Sequence, residues 1–264
     1  MSKKIAVVTG ASRGIGLEIA RQLLKENYKV YGLCRHPLEK ERRICWLSCD
    51  VSVKTSVDQA FARILAREKR IDVLINNAGM GISGAVEFLD EQDILRQLTV
   101  NLEGAVWCTQ AVIPSMRAAG GGKIIFISSL GAIFPLPYQS FYSVSKAGMN
   151  VFCDALGIEL APFHIQTCTV MLNDVKTEFT EHRKKNIVGD SIYGGRIKAS
   201  VAKMEASEQS GMSPDKVACL TVRLIRKKHM PAHFVAGFFN KILVLLYRLL
   251  PTGQMLKILG KIYG

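Results

Sequence analysis

Short apolar runs rich in β-branched residues alternate along the chain with longer segments of helical periodicity. The runs are IAVVT at 5–9, KVYGLC at 29–34, ICWL at 44–47, VLIN at 73–76, KIIFIS at 123–128 and IQTCTV at 165–170. Helical spacing fills 14–26, 55–69, 91–118 and 142–161 between them. Alternation of this kind predicts a parallel sheet with helices on both faces, and strands apolar at every position are strands buried on both sides. The expected class is therefore α/β with a doubly wound parallel sheet. Past residue 171 the pattern loosens: 173–212 is polar and charged, with scattered glycines. A helix is expected from Ser213, whose hydroxyl can cap it, and Pro214, at its first position, through VACLTVRLIRKK. Near the end, KILVLLYRLL sets Ile242, Leu245, Leu246 and Leu249 at i, i+3, i+4 and i+7. Only 242–247 runs without a charge before Arg248 and Pro251, far short of the ~20 residues that span a bilayer.

Composition narrows the class. With 264 residues, 48% of them hydrophobic, the chain can build one large core, and no linker divides it, so 1–264 reads as a single domain. The charge of +13 permits anionic partners, but the basic clusters, RKK at 183–185 and RKKH at 226–229, are short and lack interleaved aromatics. No nucleic-acid partner is expected. Seven scattered cysteines include no CxxC pair and no zinc spacing, so buried free thiols in a reducing compartment are expected, and no metal. The start, MSKKIAVVTG, is too short in apolar residues for a secretory leader and reads as a first strand entered at once. A cytoplasmic protein is the expectation.

Chemistry first appears in VVTGASRGIG, between the first strand and the first helix. Gly10, Gly14 and Gly16 permit a tight turn, close backbone approach and close helix–sheet packing, and free amides at the helix start can hold a pyrophosphate. The spacing is G-x3-G-x-G rather than G-x-G-x-x-G, and its strand–turn–helix setting points to a dinucleotide and a Rossmann-type sheet. The second strand ends at Cys34, where a carboxylate would suit the free ribose of NAD; Arg35 follows instead, with Arg13 in the glycine turn. Two cations fit a ribose 2′-phosphate and favour NADP(H), while Glu39 and Glu41 downstream keep NAD(H) open.

A second motif, YSVSKAG, sets Tyr142 and Lys146 on one face of a helix. With TGASRGIG at 9–16, CDVS at 49–52, NNAG at 76–79, Asn101 in VNLEGA and Ser129, which lies 13 residues before Tyr142, it resembles the short-chain dehydrogenase/reductase family. The match is strong over about 1–180. The resemblance implies a catalytic set of Asn101, Ser129, Tyr142 and Lys146. Tyr142 would be the general acid in reduction and the general base in oxidation, its pKa lowered by Lys146 and by the positive charge of the oxidised nicotinamide, with Lys146 also holding the nicotinamide ribose. Ser129 would bind the substrate oxygen, and Asn101 would support a water in a proton relay. The implied cofactor contacts are Gly10, Ser12, Arg13, Gly14, Ile15 and Gly16, then Arg35, Asp50 and Val51, then Asn77, Ala78 and Gly79. Tyr142, Lys146, Val175 and Thr177 complete them. The family's usual Pro-Gly before its V-x-T segment is replaced by Leu172-Asn173, and Asn173 is expected to take the left-handed backbone in the glycine's stead.

The resemblance further implies a substrate flap over about 175–212; Phe134, Leu136, Phe179 and Met204 can form an apolar pocket beneath it or serve as packing residues. The amphipathic C-terminal extension, about 240–264, is similar to that of the branch acting on steroids and retinoids. It can lie on anionic lipid as a peripheral membrane contact, pack on the body, cover the substrate mouth or join subunits. The expected activity is NADP(H)-dependent interconversion of a ketone and a secondary alcohol on a lipophilic, hydroxysteroid-like substrate. A 3-oxoacyl thioester reductase and a non-catalytic NADPH-binding sensor are the alternatives. A homo-oligomer, dimer or tetramer, is expected through the helices at 91–118 and 142–161.

Overall fold

The computed structural model describes residues 3–38 and 41–263. Seven parallel strands form the central sheet: β1 (Ile5–Thr9), β2 (Lys29–Cys34), β3 (Cys45–Ser48), β4 (Val73–Asn76), β6 (Gly122–Ser129), β7 (Ile165–Leu172) and β9 (His233–Val235). Their order is β3-β2-β1-β4-β6-β7-β9, so the chain reverses direction across the sheet between β1 and β4. Two short strands, β5 (Ile82–Ser83) and β8 (Lys184–Lys185), pair apart from it. The helices are α1 (Gly14–Lys25), α2 (Lys54–Glu68), α3 (Glu91–Leu98), α4 (Gly104–Ala118), α5 (Ser140–Leu160), α6 (Arg196–Gln209), α7 (Pro214–Arg226), α8 (Phe238–Leu249) and α9 (Thr252–Tyr263).

The unbroken apolar strands are explained by two cores. Along β6, Ile124 and Phe126 enter one core with Phe61, Ile64 and Met116, beneath α2, α4 and α5. Ile125 and Ile127 enter the other, with Ile19, Leu23 and Val222 of α1 and α7. The inner strands alternate between faces, and both faces are dry.

The expected strands and helices are present, with β3 starting one residue later than the apolar run. Five features differ. The helix expected over 91–118 is interrupted by a π-turn at Thr99–Glu103. The edge strand β9 leaves no signal in the sequence: it has three half-buried residues and is held by Thr169, whose N–H donates to the Ala232 carbonyl at 2.9 Å. Ser213 occupies the cap of α7 with extended backbone, but its hydroxyl accepts no backbone bond there. The polar stretch 175–212 contains a packed helix, α6, with Ile197, Val201 and Met204 buried at i, i+4 and i+7. The C-terminal extension is two helices, because Pro251 holds Leu250 extended and ends α8. Among the described residues no helix is long and apolar enough to cross a membrane. Of the free cysteines, Cys34, Cys49, Cys108, Cys153 and Cys168 are buried and Cys219 is exposed.

Candidate active site

At the end of β1 the chain turns through Gly10 (φ +63°) and Gly14 (φ +51°), where a side chain would be strained. A Cβ on Gly16 would stand 2.4 Å from the Gly10 carbonyl oxygen and 2.5 Å from the Asn77 amide nitrogen. Only glycine lets α1 pack this close. No side chain caps α1, so its first amides face the cleft unpaired. The NNAG turn clasps this loop: the N–H groups of Asn77 and Ala78 each donate to the Thr9 hydroxyl at 3.0 Å, and the Asn77 amide donates to the Thr9 carbonyl at 3.0 Å.

The cleft leading from this turn has a volume of about 570 Å³. Ser12, Arg13, Gly14 and Ile15 line its start; Arg35, Asp50 and Val51 line one end, with Ala78 and Gly79 opposite. Burial would raise the Asp50 carboxyl. Two hydrogen bonds from Ser52, at 2.9 and 2.6 Å, with Arg35 and Arg96 nearby, reverse that and hold it below the ordinary range. Glu41 is turned away and pairs with Arg21 of α1; Glu39 lies outside the described residues. Arg13 donates from Nη1 to His182 Nε2 at 2.8 Å, while His182 Nδ1 donates to the Glu178 carbonyl at 2.7 Å. A carbonyl can only accept, so the neutral ring carries its proton on Nδ1. This link from the glycine turn to the segment after β7 was not legible in the sequence.

The start of α5 supplies Tyr142 and, one turn on, Lys146. The Lys146 ammonium is 5.9 Å from the Tyr142 ring centre and donates to the Ile127 carbonyl at 2.8 Å. Burial pulls its pKa down to about 8. Burial also raises the Tyr142 phenol; Ser129 opposes that, the Glu208 carboxylate adds to it and Arg183 opposes it. The expected acidification of Tyr142 by Lys146 is thus not seen in the chain alone. Desolvation of the phenolate dominates, and the ammonium directs its bond to a backbone carbonyl. Ser129 ends β6, and its hydroxyl accepts from the Gly131 N–H at 3.0 Å.

Asn101 sits in the π-turn, wholly buried. Its oxygen accepts from the Met80 N–H at 2.8 Å, and its amide donates to the Met80 carbonyl at 3.0 Å and the Ser145 hydroxyl at 3.1 Å. Both of its amide donors are used, so it fixes the NNAG loop against α5. A Cβ on Gly79 would lie 3.4 Å from the Asn101 oxygen and 3.8 Å from the Lys146 ammonium, so the two face one small space.

Leu172 completes β7 in the core, and Asn173 follows exposed. Asn173 does not take the left-handed backbone: the described non-glycine residues with positive φ are Asn27, Lys69, Tyr138 and His164. The chain leaves β7 after Leu172 with no positive-φ residue at Asn173, so no glycine substitute is needed. Val175 then bridges to Met212, and the Thr177 side chain lies 3.4 Å from a Cβ placed on Gly14, above the start of α1.

The rest of the cleft is largely apolar. Phe134, Leu136, Phe179 and Met204 line it as expected, joined by Leu243, Met255, Leu259 and Tyr263 from α8 and α9. The extension therefore packs on the body and walls the cleft. One charged feature escaped sequence reading. Arg183, within the run EHRKK, is buried, paired with Glu208, and set 5.7 Å from the Phe179 ring, which lies 6.1 Å from that of Tyr142. Nothing in the spacing distinguishes it from its solvated neighbours. Among the described residues no group of three His, Cys, Asp or Glu side chains is placed to hold a metal.

The family model for short chain dehydrogenases matches residues 4–187. The chain belongs to the short-chain dehydrogenase family. It is 38% identical to a 3-ketodihydrosphingosine reductase from Bacteroides thetaiotaomicron over 90% of this chain and 89% of that protein. It is 32% identical to the human 17-beta-hydroxysteroid dehydrogenase type 1 over 69% of this chain and 60% of the human one. A short-chain dehydrogenase from Streptomyces avermitilis superposes with a TM-score of 0.83, at 26% identity, over 99% of this chain and 95% of its own. Members of the short-chain dehydrogenase family are oxidoreductases acting between CH–OH and C=O with a nicotinamide cofactor. The uncapped helix, the crowding at Gly16 and the continuous cleft from Arg35 to Lys146 fit such a dinucleotide.

Proposed function

We infer that the protein is an NADP(H)-dependent oxidoreductase that interconverts a ketone and a secondary alcohol on a lipophilic substrate. The observation that carries this is the single cleft in which Tyr142, Lys146 and Ser129 meet the glycine turn at one end and an apolar wall at the other. The dinucleotide supplies the hydride. Tyr142 holds the proton for the nascent alkoxide, and burial keeps the phenol protonated at neutral pH, as reduction requires. Ser129 orients the substrate oxygen, Lys146 holds a ribose, and Asn101 fixes the loop beneath it. Arg13 and Arg35 line the cleft while Glu41 is engaged elsewhere, which supports a 2′-phosphate over a free ribose. The apolar wall and the names of two relatives, a 3-ketodihydrosphingosine reductase and a 17-beta-hydroxysteroid dehydrogenase, support a lipid-like ketone. The reading includes a homo-oligomer formed through the helices of 91–118, α3 and α4, and through α5.

The test is loss of reduced-nicotinamide absorbance with NADPH or NADH and a panel of ketosteroids, long-chain ketones, retinal and 3-oxoacyl thioesters. Turnover is expected with NADPH on lipophilic ketones, and Tyr142→Phe is expected to lower it by about 10³-fold or more. Turnover on thioesters alone would establish the carrier-linked alternative. NADPH binding without turnover on any carbonyl would point to the sensor.

A further inference from the structure

The outer face of α8 has no partner. Phe238, Phe239, Ile242, Leu245, Leu246 and Leu249 are all exposed, Leu249 at 71% and Phe238 at 80%. They fall at i, i+1, i+4, i+7, i+8 and i+11, a single stripe without one polar residue. The inner face is already satisfied: Val244 packs with Leu130 and Met171, and the Tyr247 ring stands edge-on to Phe134 at 5.1 Å. The stripe is therefore not a body-packing face left slightly open. A contiguous apolar surface of this kind marks a binding site.

Charge identifies the occupant. Residues 216–264 carry nine lysines and arginines and no aspartate or glutamate. On α8, Lys241 and Arg248 lie together beside the stripe, both exposed, and Lys257 and Lys261 of α9 are exposed too. An apolar stripe flanked by cations alone, on a helix too short to span, matches the acyl boundary and phosphate layer of an anionic bilayer. We propose that α8 and α9 dock the protein on anionic phospholipid membranes, with the α8 stripe seated among the acyl chains. The inner side of the same two helices, through Leu243, Met255 and Leu259, walls the cleft. Docking thus sets the mouth of the site against the bilayer, and a lipophilic ketone reaches the cleft from there. Docking stands independently of the reductase reading; this route of access rests on it.

The experiment is co-sedimentation of the full chain with vesicles of phosphatidylcholine, alone or mixed with phosphatidylglycerol. The protein is expected to pellet with the anionic vesicles, poorly with the neutral ones, and less as salt rises. The variant Leu245→Ser/Leu249→Ser touches neither the cleft nor the core. It is expected to lose about tenfold in vesicle affinity per leucine, while still binding NADPH and reducing a short water-soluble ketone at the parent rate. The proposal is overturned if the parent stays in the supernatant with both vesicle types, or if the variant pellets equally well. It is also overturned if the stripe variant breaks an oligomer that forms without lipid, which would assign the face to a second copy. Pelleting by a protein that reduces no ketone leaves docking intact and sinks only the reductase reading.

Discussion

Lys146 shows how a residue proposed to act in catalysis can oppose stability. Its ammonium is buried with one carbonyl partner, and its pKa falls from 10.5 to about 8. The sign follows directly: below about pH 8 it is charged in both states, and the folded state bears the full desolvation cost. Between about 8 and 10.5 the unfolded chain binds the extra proton, so the cost is relieved as pH rises. A shift of this size is worth on the order of 3 kcal/mol. Lys146→Met should therefore raise the denaturation midpoint at pH 7, lose most of that gain by pH 10, and abolish turnover. A variant less stable than the parent at pH 7 would show that the Ile127 bond outweighs desolvation. At Gly79 the expectation is opposite. Gly79→Ala places a methyl 3.4 Å from the Asn101 oxygen and 3.8 Å from the Lys146 ammonium, so turnover should fall about tenfold or more with little change in stability. Kinetics beside a thermal melt separate the two effects. These residues were all legible from motifs, because the chemistry restricts residue type. What Asn101 does was not legible: its amide is consumed by Met80 and Ser145, and residue type does not reveal which partners a side chain finds.

At the scale of elements, legibility tracked burial and length. Strands β1, β2, β4, β6 and β7 are largely apolar because both sheet faces are covered, and such runs announce themselves. The edge strand β9 has only three half-buried residues, and the buried positions leading through the π-turn at Thr99–Glu103 are polar: Asp93, Gln97 and Asn101. Neither leaves a periodic signal. The segment after β7 is the clearest case. Its charge suggests a solvated flap, yet Arg183 and Thr180 are buried and converge on Glu208, with the Thr180 hydroxyl donating to it at 2.5 Å. A buried ion pair is costly to break from one side, because it strands the remaining charge. Arg183→Met should destabilise the protein by about 3 kcal/mol, whereas Arg183→Met combined with Glu208→Leu should recover most of that. Urea unfolding of both variants decides it. Equal losses in the single and double variants would mean the pair contributes through packing alone. The same pair also acts on Tyr142 with opposite signs, since Glu208 raises its pKa and Arg183 lowers it. Removing Glu208 alone should thus move the alkaline limit of reduction downward.

At the scale of the whole molecule, the long helix α5 presents two faces with different tasks. Met149, Cys153, Leu156 and Leu160 are buried toward the sheet. Val144, Val151 and Ile158, spaced by seven, are exposed at 53, 69 and 79%, a narrow stripe suited to a second helix of the same kind. This is the surface on which the proposed homo-oligomer depends, and it is separate from the lipid-facing stripe on α8. The two can be distinguished because their charges differ: α5 has no basic residue in its last turn, whereas cations flank α8. Val151→Glu/Ile158→Glu should yield a monomer in sedimentation velocity at concentrations where the parent sediments as a dimer or tetramer. The change strips apolar area from both sides of a symmetric interface and sets like charges face to face, which leaves little to hold it. Vesicle binding per chain should survive that change, and the Leu245→Ser/Leu249→Ser variant should keep the parent's sedimentation while losing the vesicles. A parent that is monomeric at every concentration would remove α5 as an interface and leave its exposed stripe without a partner.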